Sequence, residues 1–195
     1  MPKKDTKGEE YASRLKRLSG SRWKQVLDVQ RPYRWNLRRL NLRKTLDVGC
    51  GIGRHLDSLP QGSVGIDHNP HSIKIAQEKG NEAYTVDKFI KNKKFKKNHF
   101  DSMLLAHVLE HMSTSAGTEV IKGYLPYVKQ KVVVICPQEK GFPTDETHVN
   151  FLKHADIEEI LTSLGLKIIK SYSFPFHKQA GKVFTHNETV VVATK

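Results

Sequence analysis

The chain has 195 residues, 37% of them hydrophobic and 27% charged, which fits one globular domain with a short extension and excludes a disordered chain. The longest apolar run, residues 132–136, is strand-sized, and the first ten residues carry no apolar segment after their lysines. A membrane span and a secretory signal are therefore not expected. Two cysteines, Cys50 and Cys136, exclude a disulfide framework and a four-cysteine zinc site, and suggest a reducing, cytoplasmic setting.

The formal charge of +13 is unevenly spread. Residues 1–44 hold 14 Lys/Arg against 4 Asp/Glu, whereas residues 45–195 are nearly balanced. The expected organisation is a basic helical arm over 1–44 and a folded domain over 45–195. A second lysine cluster lies at 91–97. Such charge favours anionic partners, or simply solvates a surface.

Within the arm, apolar residues at 11, 15, 18, 26 and 27 follow helical spacing, with an interruption at Gly20 and Ser21. Pro32 opens a third helical segment with Leu37 and Leu40 on one side. After residue 44, strands are expected at 45–48, 63–67, 82–86, 100–106, 131–136, 166–173 and 188–194. A helical turn over 53–59 and helices over 70–79, 113–125 and 154–164 separate most of them. Asn69 is the expected N-cap of the 70–79 helix, with Pro70 at its first position and Gly80 at its end. Alternating strands and helices predict a mostly parallel sheet covered on both faces.

The most informative stretch is Asp47-Val48-Gly49-Cys50-Gly51-Ile52-Gly53, directly after the first strand. Alternate glycines let the backbone approach a ligand that a side chain would block. The Gly-Lys pair of a phosphate-binding P-loop is absent, and the third glycine of a dinucleotide fingerprint would fall at Arg54. What remains is DxGxGxG, followed by Val-Gly-Ile-Asp67 at the end of the second strand. A carboxylate there can accept ribose hydroxyls or cap the next helix. Asp87 follows the third strand, as a ligand contact or an N-cap. The fourth strand runs on into His107-Val108-Leu109-Glu110-His111.

These motifs resemble those of the class I S-adenosylmethionine-dependent methyltransferases. The fourth-strand stretch is similar to the small-molecule branch, including quinone-biosynthesis methyltransferases. The resemblance covers about residues 45–194 and departs from the branch at Lys129-Gln130-Lys131, where a Gly-Gly turn is usual. It implies a Rossmann-like three-layer α/β sandwich with a seven-stranded sheet in the order 3-2-1-4-5-7-6, the last strand antiparallel. It implies S-adenosylmethionine as cofactor, bound by Asp47, Gly49, Cys50, Gly51, Gly53, Asp67, His68, Asp87 and His107. The expected acceptor is a small molecule, anionic groups included, with His111 or His148 as the base for a hydroxyl.

Two alternatives stay open: RNA methylation guided by the basic arm, and a cofactor-binding protein without catalysis. His107-x-x-Glu110-His111 spells an inverted zinc-protease motif. It follows directly on a strand and shows no third ligand in the sequence, so no metal is expected. Glu110 and His111 are expected either to close the loop on backbone groups or, for His111, to face the acceptor. Cys136 is expected in the core. Phe174 and Phe176 are candidates for lining an acceptor pocket, as is the segment around Asp145 and His148. The arm is expected to act on the acceptor side as a lid, with Arg14, Arg22 or Arg34 reaching an anionic group.

Overall fold

The computed structural model describes residues 30–195. The helices expected over 9–29, with Arg14 and Arg22, lie outside the described residues. Seven strands form one sheet in the order β3-β2-β1-β4-β5-β7-β6, as the resemblance implied. The chain divides into two compact units, one ending at Phe95 and one starting at Lys96.

In the first unit, α1 (Arg31–Arg39) precedes β1 (Thr45–Val48), β2 (Val64–Asp67), α2 (Pro70–Glu78), β3 (Ala83–Thr85) and α3 (Val86–Lys91). The three strands pair in parallel, with Val48 opposite Ile66 and Asp67 opposite Thr85. Every residue of β1 and β2 is buried, as expected for parallel strands covered on both faces. Asn69 caps α2: its side-chain oxygen accepts from the N–H groups of His71 (3.0 Å) and Ser72 (3.3 Å). Ile73 and Ala76 of that helix pack with Cys50, Leu56 and Ala83.

The segment before β1 belongs to this packing. Leu37 and Leu42 are buried, as is Asn36, while Trp35 faces out with the Arg39 guanidinium 4.8 Å from its ring centroid. The basic pair Arg38 and Arg39 ends α1, where positive charge suits the helix dipole. Helix α3 replaces the last residue of the expected third strand. Its Phe89 stacks on Phe95 at 4.7 Å, and the lysines at 91, 93 and 94 around this pair are exposed.

The second unit holds β4 (Phe100–Ala106), α4 (Thr114–Tyr124), β5 (Val128–Pro137), α5 (His154–Ser163), β6 (Lys167–Phe174) and β7 (Glu188–Thr194). β4 and β5 are parallel; β7 runs antiparallel to both β5 and β6. Ser113 caps α4 through the Ala116 N–H (3.3 Å), and Asp156 of α5 accepts from the Lys153 N–H (2.8 Å). β5 starts three residues before its expected position. Its extra residues include exposed Lys129 and Gln130, and Lys129 reaches Asp101 of β4 at 3.0 Å. β6 is largely exposed and lysine-bearing, as suits the outer strand of the order.

Gly65 in β2 shows how tightly the first unit is packed. A Cβ there would sit 2.6 Å from both the Cys50 sulfur and a Leu56 methyl. We predict that Gly65→Ala costs about 1–3 kcal/mol of stability through overpacking, read as a lowered urea midpoint with unchanged slope.

Candidate active site

The first unit presents the glycine turn. Gly49, Gly51 and Gly53 all have positive φ (75°, 52° and 79°), the region a side chain disfavours. The turn is fastened to the end of β2. The Gly49 and Cys50 N–H groups both donate to the Ile66 carbonyl, at 2.8 and 3.0 Å. The Gly51 N–H donates to Asp67 Oδ2 at 2.9 Å, and the Asn69 N–H to Asp67 Oδ1 at 2.8 Å. His68 lies half exposed, its Nδ1 3.5 Å from Asp67 Oδ1.

Asp47 is buried in the same unit, and its Oδ2 has no hydrogen-bond partner. Burial, and then the negative charge of Asp67, push its carboxyl up to about 7. Cys50 gives its thiol to the core and its N–H to Ile66, so what it can offer a ligand is main chain. Asp87 is exposed in the first turn of α3, and the cap position belongs to Thr85, so the N-cap reading of Asp87 is corrected.

The second unit gathers a different set of groups where β4 ends. His107 has φ 58°, an unusual backbone for a residue with a side chain, and its N–H donates to Ile135 O at 2.9 Å. Its Nε2 lies 2.9 Å from Glu188 Oε1 and its Nδ1 3.4 Å from Glu110 Oε1. Burial opposes charge on this imidazole, but the two carboxylates outweigh it and lift His107 to about 10.

Glu110 sits in a single helical turn, Leu109–His111, and is 1% exposed. Burial disfavours its charge; the His107 imidazole more than compensates and holds the carboxyl below its usual range. Neither of its oxygens has a hydrogen-bond partner. The expectation that Glu110 closes the loop is met only by its main chain, whose carbonyl accepts from the N–H groups of Val149 (2.8 Å) and Asn150 (3.1 Å).

Those two bonds draw His148 in from a distant part of the sequence. Its Nδ1 is 2.6 Å from the Phe142 carbonyl, and its Nε2 is 4.0 Å from Glu110 Oε1. His111 Nδ1 is 3.3 Å from the Thr147 carbonyl and 3.0 Å from the Thr147 hydroxyl, which donates to Asp145 Oδ1 at 2.7 Å. A carbonyl only accepts, so each Nδ1 carries its hydrogen and each Nε2 is left with a bare lone pair. Burial, reinforced by His148, outweighs the pull of Glu110 and holds His111 below the ordinary histidine range.

One atom from each of Glu110, His111 and His148 lies within 4.8 Å of the other two. The sequence reading weighed a metal on His107 and His111 and found no third ligand; the structure instead groups His111 with Glu110 and His148, and sets His107 between Glu110 and Glu188. Glu188 was also missed, and its only sequence signal is its position opening the last strand. Cys136 is buried, and burial together with Glu110 pushes its thiol up, so it stays protonated in the core. Phe174 is buried, whereas Phe176 is exposed and packs on Phe184.

Asp47 generates a pH signature. Its folded pKa lies above the value of 3.8 for a free carboxyl, so between about pH 4 and 7 the folded chain holds a proton that the unfolded chain has released. Stability from this group therefore falls as pH rises through that window. We predict that Asp47→Asn removes this loss. The stability gap between variant and parent, from urea melts without ligand, should widen from pH 4.5 to pH 8 by about 3 kcal/mol. An equal gap at both pH values would refute the raised pKa.

Residues 46–123 match the methyltransferase-domain family. No curated protein sequence matches the chain. Among solved structures, the magnesium protoporphyrin IX methyltransferase of Synechocystis PCC 6803 with bound SAH superposes with a TM-score of 0.68 at 17% identity, covering 98% of this chain and 96% of that one. A SAM-dependent methyltransferase from Aquifex aeolicus gives 0.64 at 17%, covering 94% and 97%. Another, from Archaeoglobus fulgidus, gives 0.61 at 18%, covering 88% and 99%. Identities this low speak for the fold, and the family match over the glycine turn and β4 speaks for the domain. Residues 46–123 thus carry the methyltransferase-domain match, and the chain has the fold of SAM-dependent methyltransferases.

Proposed function

We propose that this chain transfers a methyl group from S-adenosylmethionine to a small-molecule acceptor, with residues 45–195 as the catalytic domain. The cofactor supplies a methyl group already activated on a positively charged sulfur. What the protein must add is alignment of the acceptor and, for a hydroxyl acceptor, a place for its proton.

The first unit has the groups to hold the cofactor. Gly49, Gly51 and Gly53 leave the turn without side chains on that stretch. Asp67 keeps accepting capacity beyond its two main-chain bonds, since a carboxylate offers about four lone-pair sites, and this suits ribose hydroxyls. Asp47 holds a buried oxygen without a partner, which suits a ligand bearing positive charge or hydrogen-bond donors. We assign His68, Asp87 and the Cys50 main chain to the rim of the same site.

The observation that carries the acceptor reading is the fixed tautomer of two histidines. His111 and His148 each have Nδ1 committed to a main-chain carbonyl, so each offers Nε2 as a proton acceptor. Their neighbours Glu110 and Asp145 are carboxylates, which repel a nucleic-acid backbone. This favours a small acceptor over RNA, while the basic stretch before residue 44 leaves RNA as the reading to exclude. Among the described residues no helix is long and apolar enough to cross a membrane.

A transfer assay with labelled cofactor, against panels of small molecules and RNA, tests the proposal. Label entering a small molecule, with binding little affected by salt, is the expected result. Label entering RNA only, with steep salt dependence, would replace it. Asp67→Ala should weaken cofactor binding by about 1–3 kcal/mol in titration calorimetry, and unchanged affinity in the folded variant would remove Asp67 from the site.

A further inference from the structure

We infer that Glu110, His111 and His148 form a binding site for one divalent first-row transition cation. The three side chains bring two imidazole lone pairs and a carboxylate to one place, each with a candidate ligand atom within 4.8 Å of the other two. All three are acceptors. Both Glu110 oxygens are buried without a hydrogen-bond partner, and the His107 imidazole beside Oε1, 3.4 Å away, is shared with Glu188. His107 offsets the burial of this carboxylate but leaves both its oxygens unbonded, and a cation would complete them.

The surroundings are those of metal-binding histidines. A ligating imidazole characteristically donates its second N–H to a carbonyl or carboxylate, which fixes both the tautomer and the ring direction. His148 does this toward the Phe142 carbonyl at 2.6 Å. His111 does it toward Thr147, and the Thr147 hydroxyl passes the bond on to Asp145 at 2.7 Å. In both rings Nε2 is the atom left over. The rings themselves stand 4.8 Å apart, centroid to centroid.

Distances support a site that closes on its ion. His148 Nε2 is 4.0 Å from Glu110 Oε1. Ligand bonds of about 2.0–2.2 Å put neighbouring donor atoms roughly 3–3.5 Å apart, so closure needs a shift of about 1 Å or less at that pair. Small torsional changes in the two side chains supply it. The same Oε1 is 3.4 Å from His107 Nδ1, so the ion and the His107 imidazole share this carboxylate.

The donor set selects the cation. Two imidazoles and one carboxylate suit Zn²⁺, Co²⁺, Fe²⁺ or Mn²⁺ better than Ca²⁺ or Mg²⁺, which prefer all-oxygen shells. Three protein ligands also leave at least one coordination position for a ligand from outside. With the ion bound both Nε2 atoms are ligands and no longer proton acceptors, so on the methyl-transfer reading above the ion takes over activation of an acceptor oxygen at that position. The cation site itself does not depend on that reading.

The test is metal binding by the full chain, read without any turnover. Purified protein stripped with a chelator is titrated with Co²⁺, following calorimetric heat and visible absorption. One equivalent bound, with absorption bands of histidine-ligated cobalt, is expected. Glu110→Gln and His148→Asn should each weaken binding at least tenfold, while His71→Ala, an exposed histidine of the first unit, should leave it unchanged. Circular dichroism of each variant separates loss of the site from loss of the fold, and Glu110→Gln keeps the side-chain volume. Inorganic phosphate added to the cobalt protein should shift the bands if a coordination position is open. No stoichiometric binding by folded protein would overturn the inference, as would binding that survives both substitutions. Failure here would leave cofactor binding and methyl transfer as they stand, and those are measured separately.

Discussion

Three successive main-chain N–H groups, on Gly49, Cys50 and Gly51, all close on the end of β2. Two meet the Ile66 carbonyl and the third meets the Asp67 carboxylate. Only a turn that repeatedly enters the positive-φ region can point consecutive N–H groups at one spot in this way, and alternate glycines make that conformation accessible. The same carboxylate accepts from Asn69, whose side chain caps α2. One acidic residue thus joins the turn after β1 to the entry of the next helix. Packing follows from it: Cys50 is set against Gly65, and Leu56, Ile73 and Ala76 close around them.

The second unit solves a different problem, that of placing carboxylates in a dry setting. His107 bridges Glu110 and Glu188, and its strained backbone is what turns the imidazole between them. That leaves Glu110 with one oxygen near a positive group and both without a hydrogen bond. Beyond it stand His111 and His148, oriented by main-chain carbonyls rather than by each other. Polar groups are seldom left this way in an interior unless something else completes them. The two units therefore contribute unlike chemistry: one offers a turn and two acids, the other two bare imidazole nitrogens and an orphaned carboxylate.

Much of the fold was legible because its signals are local. β4 and β7 fall where the apolar runs place them, since long buried strands bounded by polar residues leave little choice. Asn69, Pro70 and Gly80 marked both ends of α2 by cap chemistry alone. Helix α3 was missed because six residues give less than two turns of periodicity, and lysines follow at once. The early start of β5 rests on pairing with β4 across an irregular register, which no single segment reveals. In the site, the glycine turn and Asp67 were legible as spacing. The approach of His148 to Glu110 was not, because it depends on two main-chain bonds from residues 149 and 150 to a carbonyl some forty positions earlier. The helical segment opened by Pro32 was legible too, with Leu37 on its buried side, whereas buried Leu42 lies past its end, where only the change of charge marked a break.

The antiparallel strand β7 lies between β5 and β6 in the sheet. β6 precedes it in the chain, yet among the described residues β6 pairs with β7 and with no other strand. The second unit is thus synthesised in one order and assembled in another. Until residues 188–194 arrive, β5 presents an open hydrogen-bonding edge made of buried valines, and β6 has nothing to join. A nascent chain stalled within that interval would expose a flat apolar edge, the form most prone to pairing with a neighbouring copy. The step that closes the unit is also the one with the longest reach from β5, so it should set the pace at which this half of the sheet forms.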